Sequence, residues 1–137
     1  MNKKGFTIIE LIATIALLSI IAAISFISIS SVLEQNKVNN CESLKMNITS
    51  ASKEYISDNR YTYTDKNDKE VTLFRLVNNK YLTKTIVDPF SNKDIDTNKI
   101  KIIVTLNDDY TANTVTIKVN GTNLNCNNKE IFKSVLK

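Results

Sequence analysis

The sequence predicts an α+β fold, in which one long N-terminal helix precedes a small antiparallel sheet. From Phe6 to Asp58 the chain contains neither glycine nor proline, so a helix can continue through this region without meeting its usual breakers. Further along, apolar residues recur at every second position from Ile100 to Leu106 and again from Val115 to Val119. This period is typical of strands with one buried face. At 137 residues, both parts fit one small domain and its helix.

The long helix is predicted to have two different halves. From Leu11 to Leu33 there are 23 residues without a charge, and a bilayer requires roughly 20 apolar residues of helix. Beyond Leu33, apolar residues recur at steps of three or four, which indicates a helix with one buried face. These residues are Val38, Cys41, Leu44, Ile48, Ala51 and Tyr55. We therefore expect the second half to pack on a globular head.

The head is predicted from turn signals and short patterns. Arg60–Glu70 is polar and is expected to be a loop, and Val71–Val77 a short helix that ends at Asn78-Asn79. Pro89 fixes a turn after Asp88. Tyr81 and Phe90, on either side of that region, are interpreted either as core residues or as subunit contacts.

Three further elements complete the predicted head. The short polar linker Asn107–Asn113 favours an antiparallel hairpin between the two strands. Asn120-Gly121 is a tight-turn signal, after which Thr122–Cys126 is expected to be a third short strand or an extended segment. Lys129–Leu136 has apolar residues at helical spacing and is predicted to form a terminal helical turn.

The N-terminal segment carries the most specific pattern. Lys3, Lys4 and Gly5 precede Phe6-Thr7-Ile8-Ile9-Glu10, and the uncharged run follows at once. An ionisable group at the edge of such a run is costly, so Glu10 is a candidate functional residue.

These residues resemble the N-terminus of type IV prepilins and of the pseudopilins of type II secretion and competence systems. The shared motif is a short basic leader, a glycine, an aromatic residue and a glutamate four residues later. The resemblance implies cleavage after Gly5 by a prepilin peptidase, N-methylation of the new terminus at Phe6, and a type IV pilin-like fold. It divides the chain into a leader (1–5), a transmembrane or filament-core helix segment (6–33), an amphipathic half (34–58) and a globular head (59–137). The Asp88-Pro89-Phe90 run is also similar to one in many Gram-positive pilins and pseudopilins.

The resemblance further implies the function of a structural subunit. The precursor would wait in the cell membrane, and the pilus assembly machinery would then pack its helix among identical or related subunits in an extracellular filament. In that core Glu10 would pair with the amine of Phe6, of the same or a neighbouring chain, and so fix the register. A pseudopilin of a secretion or DNA-uptake system is the alternative within the same family.

Two other interpretations of the N-terminal segment stay open. A removable secretory signal would have a basic start and a cleavage site near Ala23 or Ser25, but its apolar region is usually only 7–15 residues. A plain membrane-anchored binding module would require neither Gly5 nor Glu10.

The two cysteines, Cys41 and Cys126, can form a disulfide if the chain is exported. Such a bond would tie the C-terminal segment to the long helix. Two unbonded thiols are the alternative.

Composition argues against catalysis and against a strong nucleic-acid footprint. The chain has no histidine, no P-loop and no nucleophile elbow, so we expect no enzyme, no cofactor and no metal site. The formal charge of +4 includes Lys3 and Lys4, and loss of the leader would leave +2. Nucleic acid remains a candidate partner only through Arg60, Tyr61 and Tyr63.

Overall fold

The computed structural model describes residues 5–62, 65, 67–83 and 85–137, without the side chains of 26–28. The chain divides into two compact units, Met1–Asn36 and Lys37–Lys137. Helix α1 spans Ile8–Asn59, as the absence of glycine and proline predicted. It is followed by a small antiparallel sheet, so the predicted pilin-like α+β layout is confirmed.

The described part of the second unit contains a four-stranded antiparallel sheet in the order β1-β2-β3-β4. The strands are β1 (Lys69–Thr72), β2 (Ile100–Leu106), β3 (Ala112–Val119) and β4 (Thr122–Asn123). The predicted hairpin joins β2 to β3, with Ile102 opposite Ile117 and Val104 opposite Val115. Its turn closes where the Asn107 amide donates to the Thr111 carbonyl over 2.8 Å.

One hydrophobic cluster forms the core of the second unit. The helical face predicted from the sequence contributes the buried residues Cys41, Ile48 and Ala51. The sheet contributes the alternate residues of β2 and β3, which are buried in the predicted phase: Ile100, Ile102, Val104, Ile117 and Val119. The helical period of α1 and the period-two alternation of β2 and β3 therefore identified the helix face and the sheet face that form the core.

The region around residue 70 differs from the prediction. Val71 and Thr72 were expected in a helix and Lys69 and Glu70 in a loop, yet all four form β1. Strand β1 is stabilised by its pairing with β2, where Val71 lies opposite Ile102, and its own sequence shows no clear alternation. Helix α2 (Leu73–Asn78) starts directly after the strand because the Thr72 hydroxyl accepts a hydrogen bond from the Arg75 amide.

Three smaller predictions also require correction. Arg60–Thr62, expected in a loop, forms a 3-10 turn at the end of α1. Of Thr122–Cys126, expected to be a strand or an extended segment, only Thr122–Asn123 forms a strand, because only these residues pair with β3. The terminal turn is a 3-10 turn at Lys133–Val135 and is shorter than expected. Its apolar residues nevertheless enter the core, and Phe132 is 1% exposed.

Helix α2 ends in a Schellman motif that has a lysine at an unusual position. The Lys80 amide donates to the Val77 carbonyl over 3.1 Å, and the Tyr81 amide donates to the Leu76 carbonyl over 2.9 Å. This geometry gives Lys80 a φ of 66°, in the left-handed region that glycine usually occupies at this position. Lys80 is therefore strained.

The left-handed conformation costs a non-glycine residue roughly 1–2 kcal/mol, but glycine loses more chain entropy on folding, which offsets part of the gain. We therefore expect Lys80→Gly to raise the free energy of unfolding by about 0.5–1 kcal/mol. Lys93→Gly is the matched control, because Lys93 is also exposed and its φ is not positive. That control is expected to lose stability. Urea unfolding of both variants measures the difference, and a loss of stability in Lys80→Gly would contradict the strain.

Tyr81 and Phe90 are half-buried against the core, in agreement with the core-residue interpretation. The Tyr81 ring meets Tyr55 edge to face at 5.5 Å, and its hydroxyl donates to Asp58 Oδ2 over 2.7 Å. Asp88 is 3% exposed, and its carboxylate accepts hydrogen bonds from the Phe90 amide and the Ser91 hydroxyl. These bonds form the turn that Pro89 predicted.

The hydrogen bond to Asp58 raises the pKa of Tyr81 to about 12 from its ordinary 10. Because the folded protein holds this proton more tightly than the unfolded chain, the contribution to stability is complete below pH 10 and is lost as the pH rises through 12. Near-ultraviolet titration should detect one tyrosine that ionises late, and Asp58→Asn should move that titration downward. An unchanged titration curve in Asp58→Asn would contradict the assignment.

Candidate processing and assembly segment

The described N-terminal segment begins with three exposed residues ahead of α1, namely Gly5, Phe6 and Thr7. Phe6 is 85% exposed, and Gly5 is exposed as well. A Cβ placed on Gly5 would meet no atom within 4 Å, and the φ of Gly5 is not in the positive region. The fold itself therefore places no requirement for glycine at this position. Lys3 and Lys4, the basic residues of the predicted leader, lie outside the described residues.

Thr7 and Glu10 form a reciprocal capping box at the start of α1. The Thr7 amide donates to Glu10 Oε2 over 2.9 Å, and the Glu10 amide donates to Thr7 Oγ1 over 3.3 Å. The Thr7 hydroxyl adds a bond to the same Oε2 over 3.0 Å. This arrangement satisfies amides that a helix N-terminus otherwise leaves without partners.

The capping box was not foreseen, although the Thr-x-x-Glu spacing of residues 7 to 10 is its sequence signature. Both members lie on the C-terminal side of the Gly5–Phe6 bond, so this contact does not depend on residues 1–5. Glu10 therefore has a structural partner, Thr7, inside its own chain. Its expected pairing with the Phe6 amine of the same or a neighbouring chain stays a prediction.

The apolar half of α1 is long enough to cross a membrane, and those of its side chains that the structure describes are exposed in the first unit. Three of its described hydroxyl groups form hydrogen bonds within the helix. The hydroxyls of Thr14, Ser19 and Ser25 each donate over 2.8 Å to a carbonyl three or four residues earlier. Such bonds allow a helix to carry hydroxyl groups into an apolar environment, where an unpaired polar group would be costly. Together these properties fit membrane anchoring before assembly.

In the second unit, Cys41 and Cys126 are joined by a disulfide, with their Cα atoms 5.6 Å apart. The bond connects α1 to the segment that follows β4 and closes a separation of 85 residues. Both residues are almost completely buried, so the bond is part of the core.

The residues considered for nucleic-acid contact are only partly described. The Arg60 guanidinium lies 4.7 Å from the centre of the exposed Tyr61 ring. Arg60 also contributes to the lowered pKa of Asp109, after the larger effect of hydrogen bonds from Thr111, so an acid lies near this cation. Tyr63 lies outside the described residues.

Comparison with known families gives one match, at the N-terminus. The model of the prokaryotic N-terminal methylation motif matches residues 1–26, which include Gly5, Phe6 and Glu10. No curated protein and no solved structure matches the chain significantly. The motif indicates a structural subunit of the pilin or pseudopilin type and implies processing by prepilin peptidase and assembly with other such subunits. The chain thus carries, over its first 26 residues, the cleavage signal of a prepilin.

Proposed function

We propose that this protein is a pilin, a structural subunit of a type IV pilus-like surface filament, and not an enzyme. The observation that carries the proposal is the placement of the methylation motif directly before an exposed, uncharged helix of membrane-spanning length. Exposed apolar surface of this extent needs either lipid or neighbouring apolar helices around it. A subunit that moves from a membrane into a filament core meets both requirements in turn.

Processing removes residues 1–5 and methylates the amine of Phe6. The folded chain does not require a glycine at position 5. Gly5 therefore supports this step, because the peptidase is then the source of the requirement for glycine. The expected result is that Gly5→Val accumulates as the full-length precursor in cells that contain prepilin peptidase, while its head folds normally. Gel mobility and N-terminal sequencing measure the outcome, and efficient cleavage of Gly5→Val would contradict this role of Gly5.

In the assembled filament, Glu10 contacts the amine of Phe6 of the same or a neighbouring subunit. The capping box uses Glu10 Oε2, and among the described residues no donor reaches Oε1. One carboxylate can therefore begin the helix and accept a bond from the amine at the same time. In a water-poor core the pair mostly offsets the cost of desolvation, so its value is registry between subunits.

The disulfide favours a pilus subunit over a pseudopilin, because a surface filament meets mechanical load and an oxidising environment. The subunit composition of sheared surface filaments would distinguish a pilus subunit from a pseudopilin. We expect this chain to be the main component of extracellular filaments, assembled by the pilus machinery from the membrane-held form. Its recovery only from the cell envelope would favour a pseudopilin of a secretion or DNA-uptake system, whereas its recovery as a trace component of the filaments would indicate a minor pilin.

A further inference from the structure

The tight turn between β3 and β4 contains the one Asn-Gly pair of the sequence. The chain has two glycines, of which Gly5 follows a lysine and Gly121 follows Asn120. Val119 pairs with Thr122 across the turn, so the loop itself consists of two residues. Both have a positive φ, 48° for Asn120 and 84° for Gly121, as in the type I′ turns that favour this pair.

The two amides of this pair are open to solvent. Asn120 and Gly121 are both exposed. In the described part of the chain, neither the side-chain amide of Asn120 nor the backbone amide of Gly121 forms a hydrogen bond. A Cβ placed on Gly121 would meet no atom within 4 Å. Packing and hydrogen bonding therefore do not protect either group.

An asparagine side chain in this position can react with the backbone nitrogen of the next residue. The nitrogen loses its proton to solvent and bonds to the side-chain carbonyl carbon, a five-membered imide forms, and the side-chain nitrogen leaves as ammonia. Water then opens the ring at one of its two carbonyls, which gives aspartate or isoaspartate. Asparagine is for this reason a thermolabile residue. A following glycine favours the reaction, because it has no Cβ that crowds the nitrogen.

The closed turn opposes this reaction only weakly. Ring closure requires rotation about the Cα–C bond of Asn120, so the turn has to open first. Strand β4 pairs with β3 through Thr122 and Asn123 alone, and it lies at the edge of the sheet. Short edge elements open locally at a much lower free energy than the whole domain. The reaction therefore does not require global unfolding.

We propose that Asn120 is a site of spontaneous covalent modification, at which the folded protein acquires aspartate or isoaspartate as it ages. The exposed asparagine, the unhindered nitrogen of Gly121 and the short strand that closes the turn each support one step of the reaction. The site lies within one head, so the proposal does not depend on the filament function.

The two products have different consequences for the fold. Asp-Gly is also favoured in type I′ turns, so the aspartate product keeps the turn. Isoaspartate adds one carbon to the main chain before Gly121, and loop length sets the register of a hairpin. This product would release β4 and weaken the bond over 2.8 Å from the Leu124 amide to the Ile117 carbonyl. The disulfide at Cys126 would still hold the segment to α1.

Ageing of the full chain in lipid nanodiscs, followed by peptide mass mapping, tests the proposal. We expect the peptide that contains Asn120 to become heavier by about one mass unit, and part of it to contain isoaspartate. Asn92 is the matched control in the same chain, since it is exposed, has a φ of 57° and precedes Lys93. Its conversion should be at least about tenfold slower, because the side chain of Lys93 crowds the nitrogen.

Two variants make the test sharper. Lys93→Gly places a glycine after Asn92, so we expect conversion at Asn92 as well as at Asn120. Asn120→Asp begins with the product that keeps the turn, and it should gain no mass and unfold at the urea concentration of the fresh protein. The isoaspartyl form, separated from aged protein by chromatography, should unfold at a lower urea concentration.

A folded protein that stays unmodified at Asn120, under conditions in which the chain converts in urea, would overturn the proposal. Equal conversion at Asn92 and Asn120 would contradict the effect of the glycine, and so would a Lys93→Gly chain that converts at Asn120 alone. An isoaspartyl form as stable as Asn120→Asp would show that the assigned effect on β4 is wrong.

Discussion

Glu10→Gln is expected to be cleaved normally and to assemble into filaments poorly. Glutamine can replace glutamate in a capping box, so the variant keeps the start of α1 and removes only the charge. The amine of Phe6 would then enter the filament core without a counter-charge. Removing one partner of a buried ion pair costs about 3–5 kcal/mol, which corresponds to more than about a hundredfold in association. Quantifying sheared filaments against processed subunits in the membrane measures the effect.

Two further variants separate charge from helix capping. Thr7→Val removes the hydroxyl of the capping box and keeps the carboxylate, and loss of a cap costs about 1 kcal/mol. We therefore expect only a severalfold reduction in filaments. Glu42→Gln removes an exposed carboxylate that lies 3.4 Å from the Lys45 ammonium, and it should assemble normally because surface pairs contribute little. Equal defects in Thr7→Val and Glu10→Gln would mean that capping, and not charge registry, explains the need for Glu10.

Removal of the disulfide is expected to produce the largest loss of stability. In the chain-entropy description, a bond that closes 85 residues stabilises the folded state by about 4 kcal/mol. A small head can have little more than this in total. We therefore expect the Cys41→Ala/Cys126→Ala double variant to be partly unfolded at ordinary temperature, with the C-terminal segment that contains Phe132 released first.

Urea unfolding followed by tyrosine fluorescence measures this loss, since the chain contains no tryptophan. Reduced unchanged protein is the matched control, because it has the same sequence and differs only by the broken bond and the two hydrogens that reduction adds. It should unfold at nearly the same urea concentration as the double variant. In the oxidised protein, thiol reagents should label neither cysteine until reductant and denaturant are both present. Ready labelling of the native, non-reduced protein would contradict the bond.

The sequence predicted those parts of the fold that depend on local pattern. The absence of glycine and proline located α1, and the period-two residues of β2 and β3 identified the buried sheet face. Strand β1 was missed because its four residues owe their conformation to the neighbouring strand. The left-handed conformation of Lys80 could not be foreseen either, since lysine gives no signal for it.

The candidate processing and assembly residues could be predicted for the same reason, because they form a local pattern. Gly5, Phe6 and Glu10 are contiguous enough to form a motif, so they could be recognised in the sequence. The Thr7–Glu10 capping box also has a sequence signature and could have been found.

Intact mass and N-terminal sequence of the protein recovered from sheared surface filaments test the central claim most directly. We expect a chain that begins at N-methylated Phe6, retains Glu10 and is lighter by the two hydrogens of one disulfide. A chain that still begins at Met1 would contradict processing and indicate a plain membrane anchor. A chain that begins beyond Ala23 would show that the apolar helix is discarded, and no assembly role for Glu10 would remain.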